Sequence, residues 1–153
     1  MMRVLRPGGL FVSSEWGHHL YFAPPYNLAI ATDAPASHRF HGAVNDALES
    51  CRGLRPISAQ IPSFLASFSE LGQTSSRIEY VPIGAWSRDP SRRSIGELNL
   101  IAHERFADSV KPLLADAGWS EIDTIELVRE YIQEIRVVDG LASVLYTVHA
   151  QKD

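Results

Sequence analysis

Two adjacent imidazoles carry the first chemistry that this sequence suggests. His18 and His19 follow Ser13-Ser14-Glu15-Trp16-Gly17 and precede Tyr21, and four of the six histidines fall between positions 18 and 41. An imidazole with an unperturbed pKa near 6.5 can deprotonate a hydroxyl or a thiol at neutral pH. The bland alternative is a pair of solvated loop histidines. A metal centre is a second chemistry, because His38 and His41 lie three residues apart and His18 and His19 could join them. No Cys pair or H-E-x-x-H accompanies them, and their shared helical turn also carries Phe40, so no metal site is expected. A serine hydrolase is a third. "SSEWGHH" has Ser and His but lacks the glycine-flanked G-x-S-x-G turn that such a nucleophile needs.

The elements that would position these residues follow from patterning. Arg3 to Arg6 reads as the end of a helix and Pro7-Gly8-Gly9 as a turn. Leu10 to Trp16 reads as a first strand. Residues 17–38, with Pro24, Pro25 and Pro35 among Gly17, Asn27 and Asp33, read as a long irregular loop that also holds Tyr21, Phe22 and Tyr26. A helix is expected from Arg39, with Phe40, Val44, Ala47, Leu48 and Cys51 at helical spacing and Gly53 as its stop. A short helix after Pro62 places Phe64, Leu65, Phe68 and Leu71 before Gly72. Ile78 to Pro82 reads as a strand, and its terminal proline argues for a sheet edge.

Two longer helices follow. Residues 95–117 place Leu98, Ile101, Ala102, Phe106, Val110, Leu113, Leu114 and Ala117 on one face, with a kink or break at Pro112 and a stop at Gly118. The second opens at Ser120, close to a capping box with Asp123, and stacks Ile122, Ile125, Val128, Ile132 and Ile135. Asp139-Gly140 turns the chain into Leu141 to Ala150, apolar on both alternating faces and therefore expected in the middle of a sheet. The expected fold class is α/β, a three-stranded sheet with a helical insertion at about 92–138 between the second and third strands.

Composition limits the partners. The 153 residues are 45% hydrophobic and 21% charged, the profile of one soluble globular domain. A formal charge of -4 with scattered Lys and Arg argues against nucleic acid as a main ligand. Cys51, the sole cysteine, excludes an internal disulfide and fits a reducing compartment. Leu10 to Val12 is too short for a signal-peptide core, and no run approaches a membrane span, so a cytoplasmic location is expected.

"RVLRPGGLFVSSEW" resembles the segment of class I S-adenosylmethionine-dependent methyltransferases that leads into the fifth strand of their Rossmann-like sheet. "RGLRPISAQIPSFLASF", "VPIGAWSRDPSRRSIGELN" and "GWSEIDTIELVREYIQEI" resemble, in order, the C-terminal half of a group of fungal methyltransferases. The resemblance spans Arg3 to Lys152. It implies a sheet order of fifth, seventh, sixth, with the last strand central and antiparallel. It also implies S-adenosylmethionine as cofactor and methyl transfer to an acceptor that is unknown, either a small molecule or a protein.

In such a fold the acceptor pocket lies beyond the carboxyl ends of the strands. The resemblance therefore makes His18 and His19 the catalytic candidates, with Glu15, Trp16, Tyr21 and Trp86 as candidate substrate-binding residues. Trp119 and Trp86 could wall the pocket, with core packing as the alternative for each. The glycine-rich loop and the ribose-binding acid of the family have no counterpart, and Gly8-Gly9 precedes a strand instead of following one. The chain is thus expected to be a partial methyltransferase domain, inactive alone, with self-association through the strand edge left bare. The alternative is a non-catalytic, methyltransferase-like interaction module.

Overall fold

The chain closes on its last strand, which pairs with every other strand. The computed structural model describes residues 5–153, so the expected helix end at Arg3 and Val4 lies outside the described residues. Among the described residues there are four strands: β1 (Leu10–Trp16), β2 (Tyr21–Phe22), β3 (Ser75–Pro82) and β4 (Leu141–Gln151). They form an open antiparallel sheet of order β1-β4-β2, with β3 also paired to β4. The central, antiparallel position expected for the last strand is therefore observed. β1 pairs with β4 from Leu10↔Gln151 to Trp16↔Leu145, and β2 pairs through Tyr21↔Ala142 and Phe22↔Leu141. The three-strand expectation was one short: within the presumed loop, Tyr21 and Phe22 alternate between solvent and core and find partners at the start of β4.

Six α-helices are found among the described residues: α1 (Ile30–Asp33), α2 (Pro35–Arg52), α3 (Ile61–Ala66), α4 (Pro90–Ser109), α5 (Lys111–Asp116) and α6 (Glu121–Val137), with a single 3-10 turn at Ser58–Gln60 leading into α3. α2 starts four residues before the expected Arg39, because Pro35 occupies its first turn, where no amide donor is needed. Ala34, which precedes its first residue, has no polar side chain to cap it. Glu134 of α6 does so from across the fold, accepting from the Ala36 amide at 3.0 Å and the Ser37 amide at 2.6 Å. α3 ends at Ala66, short of Gly72, and Phe68 and Leu71 continue through turns. α4 and α5 are separated at Val110, as Pro112 in the first turn of α5 requires. Ser120 caps α6 by accepting from the Asp123 amide at 3.1 Å.

The chain divides into two compact units. Residues through Gly17 together with Pro56–Glu79 and Val144–Asp153 form the first, and His18–Arg55 with Tyr80–Ser143 form the second. In the first unit, Leu65, Leu71, Val148 and Ala150 are buried with Phe11, Ile61 and Phe68 against them. The second unit has a larger core in which Phe40, Val44, Ala107, Leu114, Val128, Tyr131 and Ile135 meet β2 and Leu141. The Phe40 and Tyr131 rings stack there at 4.0 Å.

The expected faces of α4 and α6 need correction. Leu98 is 68% exposed, Ile95 and Ile101 are also exposed, and α4 instead buries Gly96 and Ala107 with Asn99 and His103 half-buried between them. On α6, Ile122 and Ile125 face solvent while Thr124, Leu127, Val128, Tyr131 and Ile135 are buried. Close approach explains the inversion of α4. A Cβ on Gly96 would lie 2.1 Å from the Gly84 carbonyl oxygen and 3.1 Å from Pro82, so only a side chain of hydrogen permits this contact.

Gly96→Ala should therefore lower the unfolding free energy by about 1–3 kcal/mol, the range for overpacking a tight contact. Gly42→Ala, in the interior of α2 with open space around it, should raise it by about 0.4–1 kcal/mol through a stiffer unfolded chain. Urea unfolding followed by circular dichroism reads both; equal shifts would show that the Gly96 contact is not tight.

Candidate functional site

The most connected polar group of the second unit is a chain of hydrogen bonds through its interior. Asn99 and His103, one helical turn apart on α4, point at Ser143 of β4. The Asn99 amide donates to the Pro82 carbonyl at 2.9 Å and to Ser143 Oγ at 3.2 Å. His103 Nε2 lies 2.7 Å from Ser143 Oγ, and its Nδ1 lies 2.6 Å from the Tyr131 hydroxyl on α6. The same hydroxyl is 3.4 Å from His41 Nε2 on α2, and the His41 ring bonds the backbone of His18.

One set of protons satisfies every member. Asn99 donates to Ser143, whose hydroxyl donates to His103 Nε2. The Nδ1 proton of His103 then goes to the Tyr131 oxygen, and the Tyr131 proton to His41 Nε2, leaving the other ring nitrogen of His41 to donate to the His18 carbonyl. A second proton on His41 would aim a donor at the Tyr131 oxygen and leave the hydroxyl proton without an acceptor. Burial works in the same direction. It lowers the His41 pKa to about 3, helped by the nearby His103, His19 and His18, and lowers His103 to about 4. The Tyr131 hydroxyl is pushed upward, first by burial and then by Glu134.

The histidines singled out from sequence sit at the end of this chain. His18 is half-buried, and its carbonyl accepts from Asn45 Nδ2 at 3.2 Å; the same amide lies 3.4 Å from Nε2 of exposed His19. The His19 pKa is lowered by partial burial and then by His38, which favours the neutral, proton-accepting ring. The His19 and His41 rings are 6.5 Å apart, and those of His41 and His103 6.3 Å.

Tyr21 is exposed on β2, backbone-paired to Ala142. Trp86 donates from Nε1 to the Leu141 carbonyl at 2.9 Å and meets Tyr26 edge-on at 5.5 Å, so its indole is tied to the start of β4. Trp119 packs against the core. Glu15 and Trp16 belong to the first unit, where Glu15 accepts from Ser13 at 3.2 Å and Trp16 is 53% exposed.

Sequence reasoning missed Asn45, Asn99, His103, Tyr131 and Ser143. Ser143 left a signal: with Thr147 and His149 it is one of three polar residues in a mostly apolar run, and a buried hydroxyl there needs partners. Asn99 and His103, spaced four apart, were hidden by the more hydrophobic face beside them. The arrangement does not build a hydrolase, because Ser143 is buried in mid-strand with its hydroxyl spent internally. Among the described residues, no three His, Cys, Asp or Glu side chains gather as metal donors. An open depression on α6, lined by Arg129, Ile132, Gln133, Arg136 and Val137, holds no acid or nucleophile. No helix among the described residues is long and apolar enough to cross a membrane. No family model matches the chain, and no curated protein matches it.

Both interior histidines bind protons more weakly when folded than at the unfolded value of about 6.5, so the unfolded state takes up protons first as pH falls. Their contribution is complete above pH 6.5 and is lost on descending through about 4 for His103 and about 3 for His41. Each fully coupled ring makes the unfolding free energy fall by about 1.4 kcal/mol per pH unit over that window, and His103, only half-buried, by less. Denaturant melts from pH 7 to 4 should show this slope, and His41→Gln should reduce it while lowering stability at pH 7. An unchanged slope would remove His41 as its source.

Proposed function

We propose that this chain is the acceptor-side part of an S-adenosylmethionine-dependent methyltransferase, acting on a hydroxyl, thiol or similar acceptor not identified by its residues. The observation that carries the reading is topological. A strand entered through Pro7-Gly8-Gly9 pairs antiparallel with the last strand, which also takes the proline-ended β3, the arrangement that the sequence resemblance implies. The motifs quoted from the sequence and the helices α4 to α6 between β3 and β4 add to it.

The described residues do not fit the cofactor. Gly8, with φ of 76°, precedes β1. Gly84 does lie between a strand and a helix, but its amide is spent on the Gly96 carbonyl at 2.9 Å. Neither offers open amides at the start of a helix to an incoming ligand. In this reading the cofactor is held by residues other than those described. His19 supplies the proton-accepting imidazole, with Asn45 fixing the His18 and His19 segment. A non-catalytic interaction module is the second reading, favoured by that same lack of a cradle.

Calorimetric titration of S-adenosylmethionine and of S-adenosylhomocysteine into the folded chain should give no binding heat; micromolar binding would overturn the placement of the cofactor elsewhere. In the product of the complete reading frame, methyl transfer from labelled cofactor should fall by about 10²–10⁴-fold on His19→Ala, the usual worth of a general base. No transfer by the unaltered product would favour the interaction module.

A further inference from the structure

One side-chain amide of α2 reaches two acceptors of the His18 and His19 segment. Asn45 lies one helical turn after His41. Its Nδ2 is 3.2 Å from the His18 carbonyl oxygen and 3.4 Å from His19 Nε2, and the amide nitrogen carries two protons, one for each. The opposite orientation of the amide is ruled out by the same carbonyl, because Oδ1 would then face an oxygen with no proton between them. His41 bonds the same backbone from the preceding turn, with its Nε2 turned to Tyr131 and its other ring nitrogen donating to His18. Two side chains of one helix therefore hold the peptide that joins His18 to His19, and one of them continues to the His19 ring.

The proton of that ring is placed by the same amide. A neutral imidazole carries one proton, and the nitrogen that faces a donor must be the one without it. His19 Nε2 faces the Asn45 N–H, so it keeps its lone pair and Nδ1 carries the proton. With the proton on Nε2, two donors would meet and neither would find an acceptor. We propose that Asn45 is a positioning residue for His19: it holds the neutral ring in the Nδ1–H tautomer, so that Nε2 is the proton-accepting atom, while His41 anchors the peptide that carries the ring.

The surroundings agree with this assignment. Partial burial, and then His38 from an earlier turn of α2, disfavour a second proton on the ring. The Asn45 contact is also long enough to be shared. An oxygen about 2.9 Å from both nitrogens closes a triangle on the 3.4 Å edge with neither side chain moved. A hydroxyl there can give its proton to Nε2 while its oxygen accepts from Asn45. That Nε2 serves a reaction rests on the proposed function, whereas the tautomer does not.

Long-range proton–nitrogen correlation spectra of the chain with isotopically labelled histidine read each tautomer with no cofactor or acceptor present. At about pH 8 an imidazole with a pKa at or below about 6.5 is neutral. His19 should carry its proton on Nδ1 and leave Nε2 bare, and His41 should show the same pattern. Asn45→Ala should lower the ratio of the Nδ1–H to the Nε2–H form of His19 at least about threefold, the worth of one exchanged hydrogen bond, with His41 unchanged. Asn45→Asp, which offers only acceptors, should draw the His19 proton onto Nε2. An unaltered chain with its His19 proton mainly on Nε2 overturns the proposal, and so does an unchanged ratio in Asn45→Ala. A His41 protonated on Nε2 overturns the anchoring role. If neither variant folds, the spectrum of the unaltered chain decides. The expected tautomers together with no methyl transfer by the product of the complete reading frame would keep the positioning role and remove the reaction, so the two failures are distinguishable.

Discussion

The second unit depends on keeping one buried line of hydrogen bonds neutral. Asn99, Ser143, His103, Tyr131 and His41 come from α4, β4, α6 and α2, and each uses the donor or acceptor that its neighbour lacks. A line of this kind fixes the rotation of each helix about its own axis, which apolar contact alone leaves loosely specified. It also explains why Tyr131 can be wholly buried beneath Phe40: its hydroxyl is occupied on both sides. A break at any member exposes two unsatisfied partners, and in a low-dielectric interior the loss is felt by both flanking elements.

α4 shows how such a line competes with hydrophobicity. The face with more apolar surface points to water, while a stripe of Gly96, Asn99, His103 and Ala107 points inward. Small residues let the helix approach the Gly84 turn, and the two polar residues find β3 carbonyls and Ser143 at that distance. A larger inward face would have held α4 away from those acceptors. Asp89 starts the helix in the required place by accepting from the Ser91 and Arg92 amides.

Elements set by local chemistry were legible in the sequence. Gly53 ends α2 in a left-handed conformation, Ser120 opens α6, Pro112 separates α5 from α4, and the doubly apolar run became the strand that others pair with. The misreadings have one physical origin. Periodicity ranks faces by apolar content, so it assigned Leu98, Ile101, Ile122 and Ile125 to the core, and it has no term for close backbone approach or buried polar partners. The two-residue β2 was invisible for a related reason, since Tyr21 and Phe22 are a strand only through the Leu141 and Ala142 backbone. Of the candidate site, His18 and His19 were legible as residues, but their anchor Asn45 lies in a helix whose sequence gives no sign of reaching back to them.

The pairing of β1 with β4 also has a meaning for biosynthesis. Leu10 meets Gln151 and Trp16 meets Leu145, so the ladder joins nearly the first described residues to nearly the last. Contacts of such long sequence separation close late and slowly. On a ribosome, the strand segments made first must wait in an unpaired state while every helix between them is synthesised, and the sheet can assemble only when the final strand emerges. The interval in which β1 lacks its partner is thus set by the order of the strands, and it is the interval in which an exposed strand can pair wrongly.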